Sequence, residues 1–290
     1  PEPVVQSLPP QTPIVIVQPT QTPYPTYTPY PTNTPPATPT QTPVPSPTPV
    51  DIHALINQSR ILVYEDIYAT RLRPIVSDAL NGLNLSNARI VNTADALGNF
   101  KDAATSQKWD LMIVSAEVRN TFSGEMFEAM YDHIDQGGAT IIEIWYLDKV
   151  QNGKIFPILE KCGIRLFRDW LRPGLNYDPY KYSIYWLKQD HPLLNSPNVL
   201  KPPSYPYPTW FGDAGDLLRL AADGSGDAEL IGGLFPREHS SYGVLASCLG
   251  GRMILQTFST HDYLYDIVLP LWQNYITYTL TNHYKYLYGK

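Results

Sequence analysis

From residue 60 onward, short apolar runs alternate with amphipathic stretches, a pattern that predicts a parallel sheet flanked by helices. Arg60-Ile-Leu-Val-Tyr64 reads as the first strand, and a helix follows over roughly 70 to 83. Ala88-Arg-Ile-Val91 is a second, shorter strand, with a helix after it from about 94 to 106. Asp110-Leu-Met-Ile-Val-Ser115 is of the apolar kind covered on both faces, which places it at the centre of the sheet. Met126, Met130 and Ile134 recur at four-residue spacing beside Phe127, giving the apolar stripe of a helix that Ser123 would cap and Gly137-Gly138 would end. The next strand is Ala139 to Trp145. A helix through Ile155 to Cys162 then ends at Gly163, and Ile164-Arg-Leu-Phe167 makes a further strand.

Residues 168 to 212 break the alternation. They are rich in Tyr, Trp and Pro, as in "NYDPYKYSIYW" and "PPSYPYPTWFGD", and read as a long insertion with at most short strands. Regularity returns with Ala228-Glu-Leu-Ile231, Tyr242 to Ala246 and Arg252 to Phe258, with Leu249-Gly250-Gly251 as the turn between the last two. Asp262 is placed to cap a final helix reaching about 285, in whose first turns Pro270 falls. The fold class expected is therefore α/β, with a doubly wound, mostly parallel sheet flanked by helices.

Composition divides the chain at about residue 50. The first 50 of the 290 residues hold 17 of the 29 prolines and a single charged residue, Glu2, so that segment has neither the amide donors for helix nor the apolar surface for a core. It reads as an extended strap, and the domain boundaries are accordingly 1–50 and 51–290. Pro/Thr/Ser straps of this kind belong to extracellular or cell-surface proteins, often O-glycosylated, and Asn57-Gln58-Ser59 and Asn84-Leu85-Ser86 match the N-glycosylation sequon. One piece differs: Ile14, Val15, Ile16 and Val17 form an uncharged β-branched run, read either as a sticky spot in the tail or as a strand that pairs with a sheet edge and so joins subunits. The chain begins at Pro1 rather than Met, an expectation of processing or of a missing upstream anchor.

The formal net charge is −6, and Lys and Arg are scattered, which argues against a nucleic-acid partner. No run approaches the roughly 18 apolar residues of a membrane span, so a membrane enters only through an anchor outside this sequence. The two cysteines, Cys162 and Cys248, are either one disulfide or two small buried apolar residues.

Four stretches carry a family resemblance: "WDLMIVS", "DQGGATIIEIW", "QDHPLLNSP" and "GGRMILQTFSTHDY…LPLWQNYITYTL". Over residues 60 to 285 their order resembles the class I glutamine amidotransferase-like fold and, within it, the ThuA-like (trehalose utilisation) branch. The resemblance implies a nucleophilic Cys on a Gly-x-Cys-x-Gly turn after the central strand. This chain has Ile144-Trp145-Tyr146-Leu147-Asp148 there instead, without a thiol. Cys248, in "ASCLGG", mimics the elbow but runs into another strand, whereas the nucleophile's turn leads from strand to helix.

No Gly-x-Ser-x-Gly, phosphate-binding loop or paired metal-ligand motif is present, and no cofactor or metal is expected. In such sheets ligands bind at the carboxyl ends of the strands. Those ends carry Glu65, Asp66, Glu117, Glu143 and Trp145, with His261 before the last helix. They form either an acidic crevice for acid/base work on a sugar or a set of ordinary loop-facing polar residues. His191, in "DHPLL", either braces a turn or acts in the site the resemblance implies. Tyr177, Tyr180, Tyr182, Tyr185, Trp186, Tyr205, Tyr207 and Trp210 of the insertion would stack on sugars, form a protein interface or pack a small core.

Three functions are expected from this reading. The first is a non-catalytic extracellular binding or structural module, joined to protein partners or to copies of itself by the tail and the aromatic insertion. The second is a secreted ThuA-like carbohydrate-active enzyme using the acidic crevice. An accessory component of a membrane complex is a third.

Overall fold

A computed structural model describes residues 50–67, 72–117, 124–169, 184–200, 215–234 and 243–289. The described residues all fall in one compact unit, Pro49–Lys290; the tail and its Ile14–Val17 run lie outside them. In chain order the elements are α1 (Ile52–Ile56), β1 (Arg60–Glu65), α2 (Ile75–Gly82), β2 (Arg89–Asn92), α3 (Leu97–Ser106), β3 (Leu111–Ala116), α4 (Met126–Asp135) and β4 (Ala139–Ile144). They continue with α5 (Leu147–Val150), α6 (Phe156–Cys162), β5 (Ile164–Arg168), β6 (Ile184–Trp186), α7 (Pro192–Asn195) and β7 (Leu217–Leu220). The last are β8 (Glu229–Leu234), β9 (Gly243–Cys248), β10 (Met253–Gln256) and α8 (Tyr265–Tyr288).

The strands make one mixed ten-stranded sheet in the order β2-β1-β3-β4-β10-β9-β7-β5, with β8 pairing β9 and β6 pairing β8. From β2 to β10 every pairing is parallel; β9 runs antiparallel to β10, and the pairings beyond it are antiparallel too. The alternation of side chains along β1, β3 and β4 sorts them onto two faces. Ile61, Val63, Ile113 and Ile141 pack with α1, α2 and α8, whereas Leu62, Tyr64, Val114 and Ile142 pack with α3, α4 and α6. This double cover is why those strands are apolar throughout. Among the described residues no helix is long and apolar enough to cross a membrane.

Several boundaries move for local reasons. The helix expected from about 70 begins at Ile75, because Pro74 disfavours helical backbone at the residue before it. The helix expected from about 94 begins at Leu97: Ala94 takes a positive φ of 51°, its N–H donating to the Asn92 side chain in a tight turn. Ser123 lies outside the described residues, and the helix it was expected to cap is entered from Glu125. Gly163 ends α6 in the left-handed conformation, φ 80°, as its position after Cys162 suggested.

Asp262 does not cap the last helix. It closes a 3-10 turn over Thr260–Asp262, the chain straightens at Tyr263, and α8 starts after Leu264. Pro270 therefore sits in the second turn of a helix that continues through it to Tyr288. The turn Leu249-Gly250-Gly251 lies between β9 and β10 as read, all three residues at positive φ, with Asp227 accepting the Leu249 and Gly250 N–H groups at 2.6 Å each. Cys162 and Cys248 are joined as a disulfide between the end of α6 and the end of β9.

Candidate functional site

The carboxyl ends of β1, β3 and β4 come side by side, and the turn after β10 folds across them. Glu143, the next-to-last residue of β4, is fully buried at 0 % exposure. Its Oε2 accepts from Ser115 Oγ at 2.7 Å, and its Oε1 accepts from Gln256 Nε2 at 2.8 Å, Thr260 N at 2.9 Å and the Thr260 hydroxyl. Glu117 follows β3. Its Oε1 accepts from Thr260 N at 3.2 Å, and its Oε2 accepts from Ser259 Oγ at 2.9 Å and meets His261 Nδ1 at 2.5 Å.

The other five residues read from the strand ends gather around Glu117. Glu143 is hydrogen-bonded to its carboxylate and His261 is paired with it; Asp66 Oδ1 accepts its N–H at 3.0 Å, and Trp145 Nε1 donates to its carbonyl at 2.7 Å. Glu65 stands close enough for its charge to be felt by both Glu117 and His261. It is anchored separately, accepting from Val76 N at 3.0 Å and Ser77 Oγ at 3.1 Å at the start of α2.

Burial makes these neighbours settle their charges between them. It pushes Glu143 well above the usual carboxylate range, and the charge of the neighbouring Glu117 adds to the push. Burial would raise Glu117 too, but His261, Glu143 and Ser259 outweigh it and keep that carboxyl ionised below its ordinary value. His261 loses basicity to burial and more than regains it from Glu117. Its Nε2 faces the Arg73 carbonyl at 2.7 Å, a group that only accepts, so both ring nitrogens donate and the ring is an imidazolium. Burial, against the pull of Val76 N–H, Ser77 and His261, raises Glu65 to about 7.

Gln256, Thr260, Ser115, Ser259 and Tyr275 complete the cluster and were not singled out from the sequence. Gln256 bridges Glu143 to Tyr275, whose hydroxyl donates to Gln256 Oε1 at 2.8 Å, and Trp272 Nε1 donates to Thr260 Oγ1 at 3.0 Å. The one signal for them is a Gln closing the apolar run Met253-Ile-Leu-Gln256, a polar group that a buried strand has to pair. Among the described residues no group of three or more His, Cys, Asp or Glu side chains is arranged to hold a metal ion.

The other candidates lie elsewhere. Tyr185 and Trp186 form part of β6 and are each only 6 % exposed, so in this structure they pack rather than present a surface. The Trp186 ring lies against Gly232, where a Cβ would approach it to 3.2 Å, which is the use of a glycine at that position in β8. Tyr177, Tyr180, Tyr182, Tyr205, Tyr207 and Trp210 lie outside the described residues. His191 braces a turn: its Nδ1 accepts from Leu193 N at 3.2 Å and its Nε2 donates to Glu229 at 2.9 Å.

No family model and no curated protein sequence matches the chain. In fold it is similar to a ThuA-like protein from Bacteroides uniformis ATCC 8492, at 14 % identity and a TM-score of 0.46, over 80 % of this chain and 92 % of that one. It is also similar to a GMP synthase component from Thermoplasma acidophilum, at 9 % identity and a TM-score of 0.44, over 80 % and 98 % of the two chains. The glutaminase domain of Trypanosoma brucei CTPS, bound to acivicin, is similar at 7 % identity and a TM-score of 0.44, over 76 % and 93 %. At such TM-scores the site's chemistry rests on its own geometry.

Proposed function

We propose that the chain is a non-catalytic module of an extracellular or cell-surface assembly, its α/β domain held out on the Pro/Thr-rich strap. One observation carries this reading: the acidic cluster is satisfied from within. Each carboxylate oxygen of Glu65, Glu117 and Glu143 accepts from a group of the chain itself, and those groups tie the turn after β10 and the start of α2 to the sheet. Acid/base catalysis needs a carboxyl within hydrogen-bond reach of a substrate. The thiol that the resemblance calls for is lacking as well, since both cysteines of the chain are bonded to each other.

The test is an assay of the purified full chain on a broad panel of glycosides and carboxylic esters, beside a His261→Ala variant. The expected outcome is turnover of none of them and a lowered unfolding midpoint for the variant. A substrate turned over by the wild type and not by a folded variant would sink the reading. For the assembly half, light scattering should find the full chain larger than a monomer, and Val15→Lys with Ile16→Lys should return it to monomer. A wild type that stays monomeric and binds no cell-surface material argues the other way.

A second reading has one observation in its favour. Glu117 and Glu143 are hydrogen-bonded carboxyls shifted in opposite directions beside a cationic His, and such pairs occur at sites of proton transfer. On that reading the chain is a secreted carbohydrate-active enzyme, and Glu143→Ala would abolish turnover of some saccharide while the domain stays folded.

A further inference from the structure

Where β1, β3 and β4 begin, at the end of the sheet opposite the acidic cluster, residues of α3, α4 and the last turns of α8 line a cavity of about 580 Å³. That volume is in the range of small-molecule sites. The length of β4, six residues at about 3.3 Å each, separates it from the cluster, and the two share no residue.

Two polar atoms of its lining are buried with no hydrogen-bond partner. His283 is 3 % exposed, and its Nδ1 donates to the Gly137 carbonyl at 3.1 Å. Its Nε2 stands 3.6 Å from Asp110 Oδ1, too far for a hydrogen bond. Gln107 accepts from Arg89 Nη1 at 3.0 Å through its amide oxygen, while its amide nitrogen is unpaired. His283 is thus ion-paired with Asp110, whereas the Gln107 amide nitrogen has no protein partner; buried polar atoms are paired in the great majority of cases, so that nitrogen points to a partner that the chain does not supply.

The charges on the wall decide what kind of partner. Arg60 and Lys108 are balanced by Asp110 and Asp132, and Arg60 already bonds Asp110 through its backbone N–H at 2.8 Å and its guanidinium at 3.3 Å. An anion would meet the two carboxylates and a cation the guanidinium and ammonium. A hydroxyl both donates and accepts, so it can take the free Gln107 amide N–H and give its own proton to an acceptor of the wall such as the Asp110 carboxylate, and the apolar atoms of Met112 and Leu287 suit the carbon skeleton that carries it. We propose that this cavity binds a small uncharged polyol, with one hydroxyl on the Gln107 amide and another on the Asp110 carboxylate.

The test titrates the full-length protein calorimetrically with myo-inositol, glucose and maltose, and with gluconate and glucosamine as charged counterparts. At least one neutral probe should bind saturably and the charged ones about tenfold more weakly; Gln107→Ala should weaken binding by about tenfold, the scale of one lost hydrogen bond. Thr105→Trp, an exposed position on the lining that α3 contributes, should abolish binding while leaving the thermal midpoint unchanged. Saturable binding by none of the neutral probes, tighter binding of a charged one, or undiminished binding by the folded Thr105→Trp variant would overturn the proposal. If Gln107→Ala does not fold, Thr105→Trp alone decides.

Discussion

Two carboxyls hydrogen-bonded to each other in the interior cannot both be ionised, and Glu143 and Glu117 divide the roles by their neighbours: hydroxyls and amides around the first, an imidazole on the second. A neutral Glu143 is closely imitated by Gln. Glu143→Gln is therefore expected to stay within about 1 kcal/mol of wild type in urea unfolding at pH 7, whereas Glu117→Gln, which strands the His261 charge, should cost about 3 kcal/mol. The reverse order of costs would mean the proton is on the other carboxyl. Glu65 supplies a pH test. Its carboxyl is raised in the fold to about 7, so the native state holds a proton that the unfolded chain releases near 4.5, and stability falls as pH rises through that window. The loss is on the order of 3 kcal/mol, and a Glu65→Gln variant should lack this part of the slope when unfolding is followed from pH 4.5 to 7.5. These carboxyls were visible in the sequence as polar residues ending apolar strands. Their protonation was not, because it depends on Ser259, Thr260 and His261, more than a hundred residues downstream of the carboxyls they meet.

At the scale of elements, β1, β3 and β4 could be read almost to the residue, since strands covered on both faces are apolar along their length and stand out from their flanks. β7 was not foreseen: Leu217–Leu220 is a four-residue strand whose identity depends on its partners β5 and β9. The start of α8 was misplaced because Asp262 has the side chain of a cap, yet the N–H groups of Thr260 and His261 just before it are committed to Glu117 and Glu143. Two elements are held by covalent or backbone constraints that mutagenesis can weigh. The Cys162–Cys248 bridge spans 86 residues, and loop entropy gives it about 4 to 5 kcal/mol. A Cys162→Ala, Cys248→Ala protein should lose about that much in urea unfolding, and reduction of the wild type should reproduce the loss. Gly163, at φ 80° with the Ser225 carbonyl oxygen 1.8 Å from where a Cβ would stand, should not tolerate Ala; a loss on the order of 3 kcal/mol is expected in the same assay.

For the molecule as a whole, the compositional break near residue 50 coincides with the division between Thr48 and Pro49. A chain beginning at Val50 should accordingly unfold in one transition with a midpoint within about 2 °C of the full protein, followed by circular dichroism, since the strap's composition gives it no core to add. What the sequence determined by itself is what local chemistry dictates. Proline density sets the strap apart, apolar periodicity gives the strands and helices of an α/β sheet, and strand ends locate the acidic residues. The tertiary structure alone decided what those residues are to one another. Whether a glutamate at a strand end faces water, a substrate or a second glutamate depends on the turn after β10 crossing the ends of β3 and β4, and on burial there, neither of which has a local signature. The same holds for the cavity at the opposite end of the sheet, where α8 brings His283 to Asp110 across 173 positions of chain. Hydrogen bonds and ion pairs between distant segments form only once the hydrophobic layers have set the geometry, so the chain spells out the layers and the fold assigns the chemistry.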